Sequence, residues 1–145
     1  MIWTTPIDLK NLNQRGINTL AGHLGIEFTE CGDDYLVARM KIHQNLMQPM
    51  GIMHGGASCV LAETIGSVAA NFCVDQKIKV CVGLDININH LRPVHGGVLT
   101  AKTTPLHLGK TTQVWDIKIH NEQNKLVAIS RLTIAVINKE GAVKN

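Results

Sequence analysis

Aromatic side chains make up only 3% of this 145-residue chain, and the formal net charge is +3. Few aromatic rings means few platforms for stacked bases. So small a positive excess does not build the phosphate-tracking face of a nucleic-acid binder, although it suits a small anionic ligand. No apolar run approaches the ~18–20 residues that a membrane span requires. The opening residues, Met1 to Pro6, lack the basic region and long apolar core of a secretory leader. The four cysteines, Cys31, Cys59, Cys73 and Cys81, show no CxxC or other metal-type spacing, so buried free thiols and a reducing cytoplasm are expected. His23, His43, His95 and His120 are scattered without acids at ligand spacing, and no metal is expected. Internal repeats, low-complexity tracts and linkers are also missing.

Hydrophobic residues account for 45% of the chain and charged residues for 17%, a globular composition with room for one core. One domain over 1–145, with its core at about 8–138, is the expectation. The low charged fraction also suggests a surface covered by a second copy.

Periodicity supplies the order of elements. Asp8 to Gln14 reads as a short helix ending at Gly16, and Thr19 to Leu24 as a further turn. Leu36, Ala38, Met40 and Ile42 alternate with Arg39 and Lys41, which marks a strand over Tyr35 to His43 with one wet side. A loop carrying Pro49 and Gly51 leads to the one long helix, from His54 or Gly55 to about Val74, with Leu61, Ile65, Val68 and Phe72 as its apolar stripe. Period two then persists over Lys79 to Leu91, with Val80, Val82, Leu84, Ile86 and Ile88 on one face, and over Val98 to Leu108, Thr111 to His120 and Leu126 to Ile137. Short turns make the last strands antiparallel, so the class is α+β. The single apolar helix must pack on the concave face of that sheet. The position of the first strand in the sheet does not follow from the sequence.

Within the long helix, Glu63 is the only ionisable residue besides cysteine between Ala57 and Phe72. A carboxylate among Leu61, Ile65, Val68 and alanines is costly unless it is paired, protonated or used. Gly55 and Gly56 stand where a helix N-terminus offers free N–H groups and the positive end of its dipole to an oxyanion, without a Cβ in the way. Against these readings stand a structural Glu63 paired with a basic group, a plain helix-start turn at the glycines, and a capping His54.

Several stretches carry a resemblance: Gln48-Pro49-x-Gly51-x-x-His54-Gly55-Gly56, Leu61-Ala62-Glu63-Thr64-Ile65-Gly66-Ser67, Val82-Gly83-Leu84-Asp85-Ile86-Asn87, Asn89-His90-Leu91-Arg92-Pro93 and Leu106-His107-Leu108-Gly109. Together they resemble the hotdog-fold thioesterases, in which a curved antiparallel sheet wraps one long central helix. The match runs from Asp8 to about Ile137 and is nearest to the branch containing the 1,4-dihydroxy-2-naphthoyl-coenzyme A hydrolases of menaquinone synthesis. Relatives in that branch act on hydroxybenzoyl- and other aryl- or acyl-coenzyme A (CoA) thioesters.

The resemblance implies a cytoplasmic acyl-CoA thioesterase that needs no cofactor, CoA being part of its substrate. It also implies a homodimer with shared active sites, paired into a tetramer. Glu63 would be nucleophile or general base, and the Gly55 N–H would polarise the carbonyl. His54 would orient the carbonyl or assist the leaving thiolate. Gln48 would position water or thioester, and Ser67 would bond the acid or the substrate. Val82, the segment Asn89, His90, Leu91 and Arg92, and the segment Leu106, His107, Leu108, Gly109, Lys110 and Thr111 would hold pantetheine and nucleotide, with Arg92 and Lys110 suited to phosphate. On composition alone these two are ordinary surface charges. A medium-chain or broad-specificity thioesterase, a non-catalytic acyl-CoA-binding protein and a hydratase remain as alternatives.

Overall fold

The computed structural model describes residues 1–140 of the chain. Two short helices, α1 (Leu9–Gly16) and α2 (Leu20–His23), precede strands β1 (Ile26–Cys31) and β2 (Leu36–Lys41). A 3-10 turn over Gln44–Leu46 and the Gln48 loop lead to the long helix α3 (Gly55–Phe72). Strands β3 (Lys79–His90), β4 (Val98–Leu108), β5 (Thr112–His120) and β6 (Leu126–Asn138) complete one sheet of order β1-β2-β4-β5-β6-β3, antiparallel throughout. Helix α3 lies across this sheet and touches β2 to β6. It is the expected helix on a wrapping sheet, the hotdog arrangement. Among the described residues no helix is long and apolar enough to cross a membrane.

Period two builds the core as the alternation requires. Leu36, Ala38 and Met40 of β2, Gln113, Trp115, Ile117 and Ile119 of β5, and Leu132 and Ile134 of β6 are all buried against Leu61 and Ile65 of α3. The buried stripe of α3 runs through Leu61, Ile65 and Ala69; Val68 and Phe72, expected on it, are half-buried at its margin. Small residues bring the helix close to the sheet. A Cβ at Gly66 would lie 2.6 Å from Leu132 Cδ2, so only glycine fits that crossing without displacement. Among the described residues every buried side-chain nitrogen and oxygen has a hydrogen-bond partner, the Trp115 indole N–H donating to Gln113 Oε1 at 3.0 Å.

Three features depart from the sequence reading. Strand β1 was not anticipated: only Ile26 and Phe28 alternate as buried residues before a register shift between Phe28 and Glu30 breaks the pattern. It is an edge strand beside β2, which is therefore inside the sheet. Strand β3 does not keep one apolar face. A bulge inserts Leu84 between the pairs Gly83↔Ile134 and Asp85↔Thr133. The residues opposite the buried row of β6 are consequently Cys81, Gly83, Ile86, Ile88 and His90, while Val82 and Leu84 are exposed. Last, only Cys81 is buried, whereas Cys31, Cys59 and Cys73 are half-buried.

Burial pushes the Cys73 thiol up to about 12 and the Cys81 thiol up to about 11, from an ordinary value of 9.0. The folded state thus keeps protons that the unfolded chain gives up near pH 9, and stability falls as pH rises from about 9 towards 11. Urea midpoints at pH 8 and pH 10.5 should differ more for the native protein than for Cys81→Ala, which removes one of the two groups.

Candidate active site

A row of residues spaced four apart runs along α3: Gly55, Cys59, Glu63, Ser67 and Asn71, all half-buried. Strand β3 lies beside this row and runs against it. At one end the Asn71 amide grips the strand edge: its Oδ1 accepts from the Cys81 N–H at 2.9 Å, and its Nδ2 donates to the Cys81 carbonyl at 3.0 Å. Nδ2 also donates to the Ser67 carbonyl at 2.9 Å. In the middle, Gly83 faces Glu63 so closely that a Cβ there would overlap the Glu63 carboxylate. The Ser67 hydroxyl donates to Glu63 Oε1 at 3.1 Å. Burial, and after it the charge of Glu63, push the Cys59 thiol up, which disfavours a thiolate nucleophile on this row.

At the other end of the row the helix begins. His54 is its N-cap: Nδ1 accepts from the Gly56 N–H at 2.8 Å, which leaves the proton on Nε2. The His54 carbonyl takes the Ala57 N–H at 3.0 Å. The Gly55 N–H makes no hydrogen bond among the described residues, so it is a donor of the first turn left for a ligand. The imidazole of His90 packs over it, since a Cβ at Gly55 would stand 2.8 Å from His90 Nε2. Gln48 closes a turn in which its carbonyl accepts from Gly51, held at φ +78°, and its Oε1 accepts from the Met50 N–H at 2.6 Å. Gln48, Gly55, His90, Leu91 and Arg92 line one cavity of about 380 Å³.

The expected site residues therefore fall into separate groups. Gln48, Gly55, His90, Leu91 and Arg92 come together, with Asn89 on the strand beside them and His54 in a neighbouring depression on the far side of the helix start. Glu63 and Ser67 form a second group, eight residues and hence ~12 Å of helical rise from Gly55. Val82 faces away from Glu63 and pairs with Ala135, whose other neighbour is Thr112. That places Val82 beside the hairpin of Leu106, His107, Leu108, Gly109, Lys110 and Thr111. His90 pairs with Ala128, seven residues further back on β6, so the two segments expected to hold CoA stand ~23 Å apart in one chain. Arg92 donates to the Leu126 carbonyl at 2.5 Å and is exposed, as is Lys110. Among the described residues no group of histidines, cysteines and acids could hold a metal.

Sequence reasoning overlooked Asn71 and Gly83. Asparagine is a weak helix former and prefers caps to helix interiors, so its place in an otherwise apolar helix was a readable signal. Gly83 inside a strand pattern was another, since such glycines mark bulges or close approach. Replacing the clamp by Asn71→Leu leaves the Cys81 N–H and carbonyl without partners, a loss of about 1–3 kcal/mol. Its expected signature is faster amide exchange at Cys81 and Gly83 together with a lowered urea midpoint.

The thioesterase superfamily profile matches residues 50–128, a span that holds α3, β3, β4 and β5. The chain is 47% identical over 137 residues to the 1,4-dihydroxy-2-naphthoyl-CoA hydrolase of Escherichia coli, covering 94% of this chain and 100% of that protein. It is 42% identical to the proofreading thioesterase EntH of Cronobacter turicensis, over 94% of this chain and 99% of that one. The crystal structure of a thioesterase from Haemophilus influenzae superposes with a TM-score of 0.93 at 48% identity, covering 100% of this chain and 99% of the other. With a lone acid on its central helix, a free N–H where that helix begins, and these relatives, the chain belongs to the thioesterase superfamily and is a thioester hydrolase.

Proposed function

We propose that the protein hydrolyses aryl- or acyl-CoA thioesters, with 1,4-dihydroxy-2-naphthoyl-CoA as the first substrate to test. The observation that carries this reading is the state of Glu63. It is the one acid of α3, it is held by Ser67, it has room made for it by Gly83, and it shares a helix row with the free Gly55 N–H. Its carboxylate either attacks the carbonyl carbon, expelling CoA thiolate and leaving an anhydride that water cleaves, or takes the proton of an attacking water. Either route builds negative charge on the carbonyl oxygen, which the Gly55 N–H and the helix dipole stabilise. The proposed reaction uses no cofactor beyond the CoA of the substrate, and the free thiols favour the cytoplasm as its setting.

One chain cannot complete the site, because ~12 Å separates Glu63 from Gly55 while a reacting carbonyl needs both within hydrogen-bond reach. Two copies with antiparallel helices bring Glu63 of one protomer to Gly55 of the partner subunit. The exposed edge of β3, with Val82 42% and Leu84 64% exposed, supplies a surface for that pairing. Two such dimers would form the expected tetramer. The Gln48, Gly55, His90, Arg92 group then comes from one protomer, and Glu63, Ser67 and the Lys110 hairpin from the other. One relative is named for 1,4-dihydroxy-2-naphthoyl-CoA and another only as a proofreading thioesterase, so a panel of hydroxynaphthoyl-, hydroxybenzoyl- and straight-chain thioesters decides specificity.

Glu63→Gln should lower turnover by about a hundred- to ten-thousand-fold at an unchanged thermal midpoint; near-full turnover would overturn the assignment. Co-expressing Glu63→Gln with Gly55→Ala should restore thiol release that neither variant shows alone, since one of the two shared sites is then intact. If the mixed protein stays inactive, the site is not shared.

A further inference from the structure

Beyond Ser67 the surface opens into a groove of about 460 Å³ between α1, the second half of α3 and the start of β3. Its lining sets the apolar side chains of Leu12, Phe28, Val68 and Phe72 among the polar ones of Thr64, Asn71 and Gln76. Its rim carries Arg15, Lys79 and Lys139, and no aspartate or glutamate lines it. Among the described residues the one ion pair is Lys118 with Asp116, so none of these three cations is neutralised by a carboxylate. Lys139 is held at the rim by donating to the Gln76 carbonyl at 2.5 Å. Asn13 pins α1 over β1 through both its amide atoms and the Phe28 backbone, so the wall formed by α1 is fixed.

We infer that this groove receives the far end of the acyl group and that its cations select acyl groups carrying an anion at that end. The inference rests on the thioesterase reading above. The groove starts one hydrogen bond from the proposed reacting carboxylate, at Ser67, and follows α3 towards its C-terminus for a rise of ~8 Å to Phe72, past which Lys79 and Lys139 stand. An acyl chain or ring covers the apolar side chains of Leu12, Phe28, Val68 and Phe72 over that length, and a carboxylate at its tip meets the cations. Glu63 at the near end repels an anion there, which fixes the polarity of the bound group.

The test uses thioesters matched in length: adipoyl-CoA against hexanoyl-CoA, and 4-carboxybenzoyl-CoA against 4-methylbenzoyl-CoA. At low salt the carboxylate member of each pair should have a kcat/KM about tenfold higher, and the ratio should shrink as salt rises. Lys79→Gln and, separately, the exposed-helix change Arg15→Gln should each lower the ratio. Hydrolysis of the neutral members with no preference for the carboxylates overturns the pocket assignment alone. So do variants that weaken both members of a pair equally, since the cations would then be holding CoA. If no thioester is hydrolysed, the assignment falls together with the thioesterase reading.

Discussion

The close lie of β3 along one row of α3 is the constraint from which the rest of the site follows. Asn71 substitutes for a neighbouring strand at Cys81, satisfying its N–H and carbonyl from the helix side. That clamp sets which residues of β3 face the helix, and the bulge at Leu84 keeps the facing set in phase with the buried row of β6. Gly83 then meets Glu63 and His90 meets Gly55, the two contacts that define the ends of the proposed chemistry. A slip of one residue would turn each of these side chains to the other face.

The composition of α3 serves the same end. Ala57, Ala62, Ala69, Ala70 and Gly66 let the helix settle low on the sheet, and Leu61 and Ile65 fill what space remains. A low-lying helix leaves little room for a polar side chain, so a carboxylate at position 63 is tolerated only because Gly83 lacks a Cβ and Ser67 supplies a donor. The same burial raises the thiols of Cys59, Cys73 and Cys81, which disfavours a thiolate nucleophile on this face.

Length scales decide how many copies the chemistry needs. The distance along α3 from the free N–H to the acid is about twice the helical pitch, longer than any thioester group, and the two segments proposed to hold CoA are further apart still. Each half of the proposed site is well built within one chain: a polarising donor with His90, Gln48 and Arg92 at one end, and an acid with its serine and a cation-rimmed groove at the other. The proposed antiparallel pairing of the helices would join unlike halves.

Much of this was legible in the residues. Alternation over Val98 to Leu108, Thr111 to His120 and Leu126 to Ile137 reported strands because it reflects which face is buried, a local property of each segment. The solitary charge of Glu63 and the glycines at the helix start likewise stood out without reference to anything distant. Where a pattern was short or broken by a bulge, as in β1 and β3, alternation misled, because an inserted residue changes the face without changing the composition. The grip of Asn71 on Cys81, the room at Gly83 for Glu63 and the gathering of Arg15, Lys79 and Lys139 around one groove were decided only by the folded chain. Each joins segments whose separation in sequence carries no signal, and each depends on the packing height of a helix on a sheet, a property of the whole core and not of any one stretch of it.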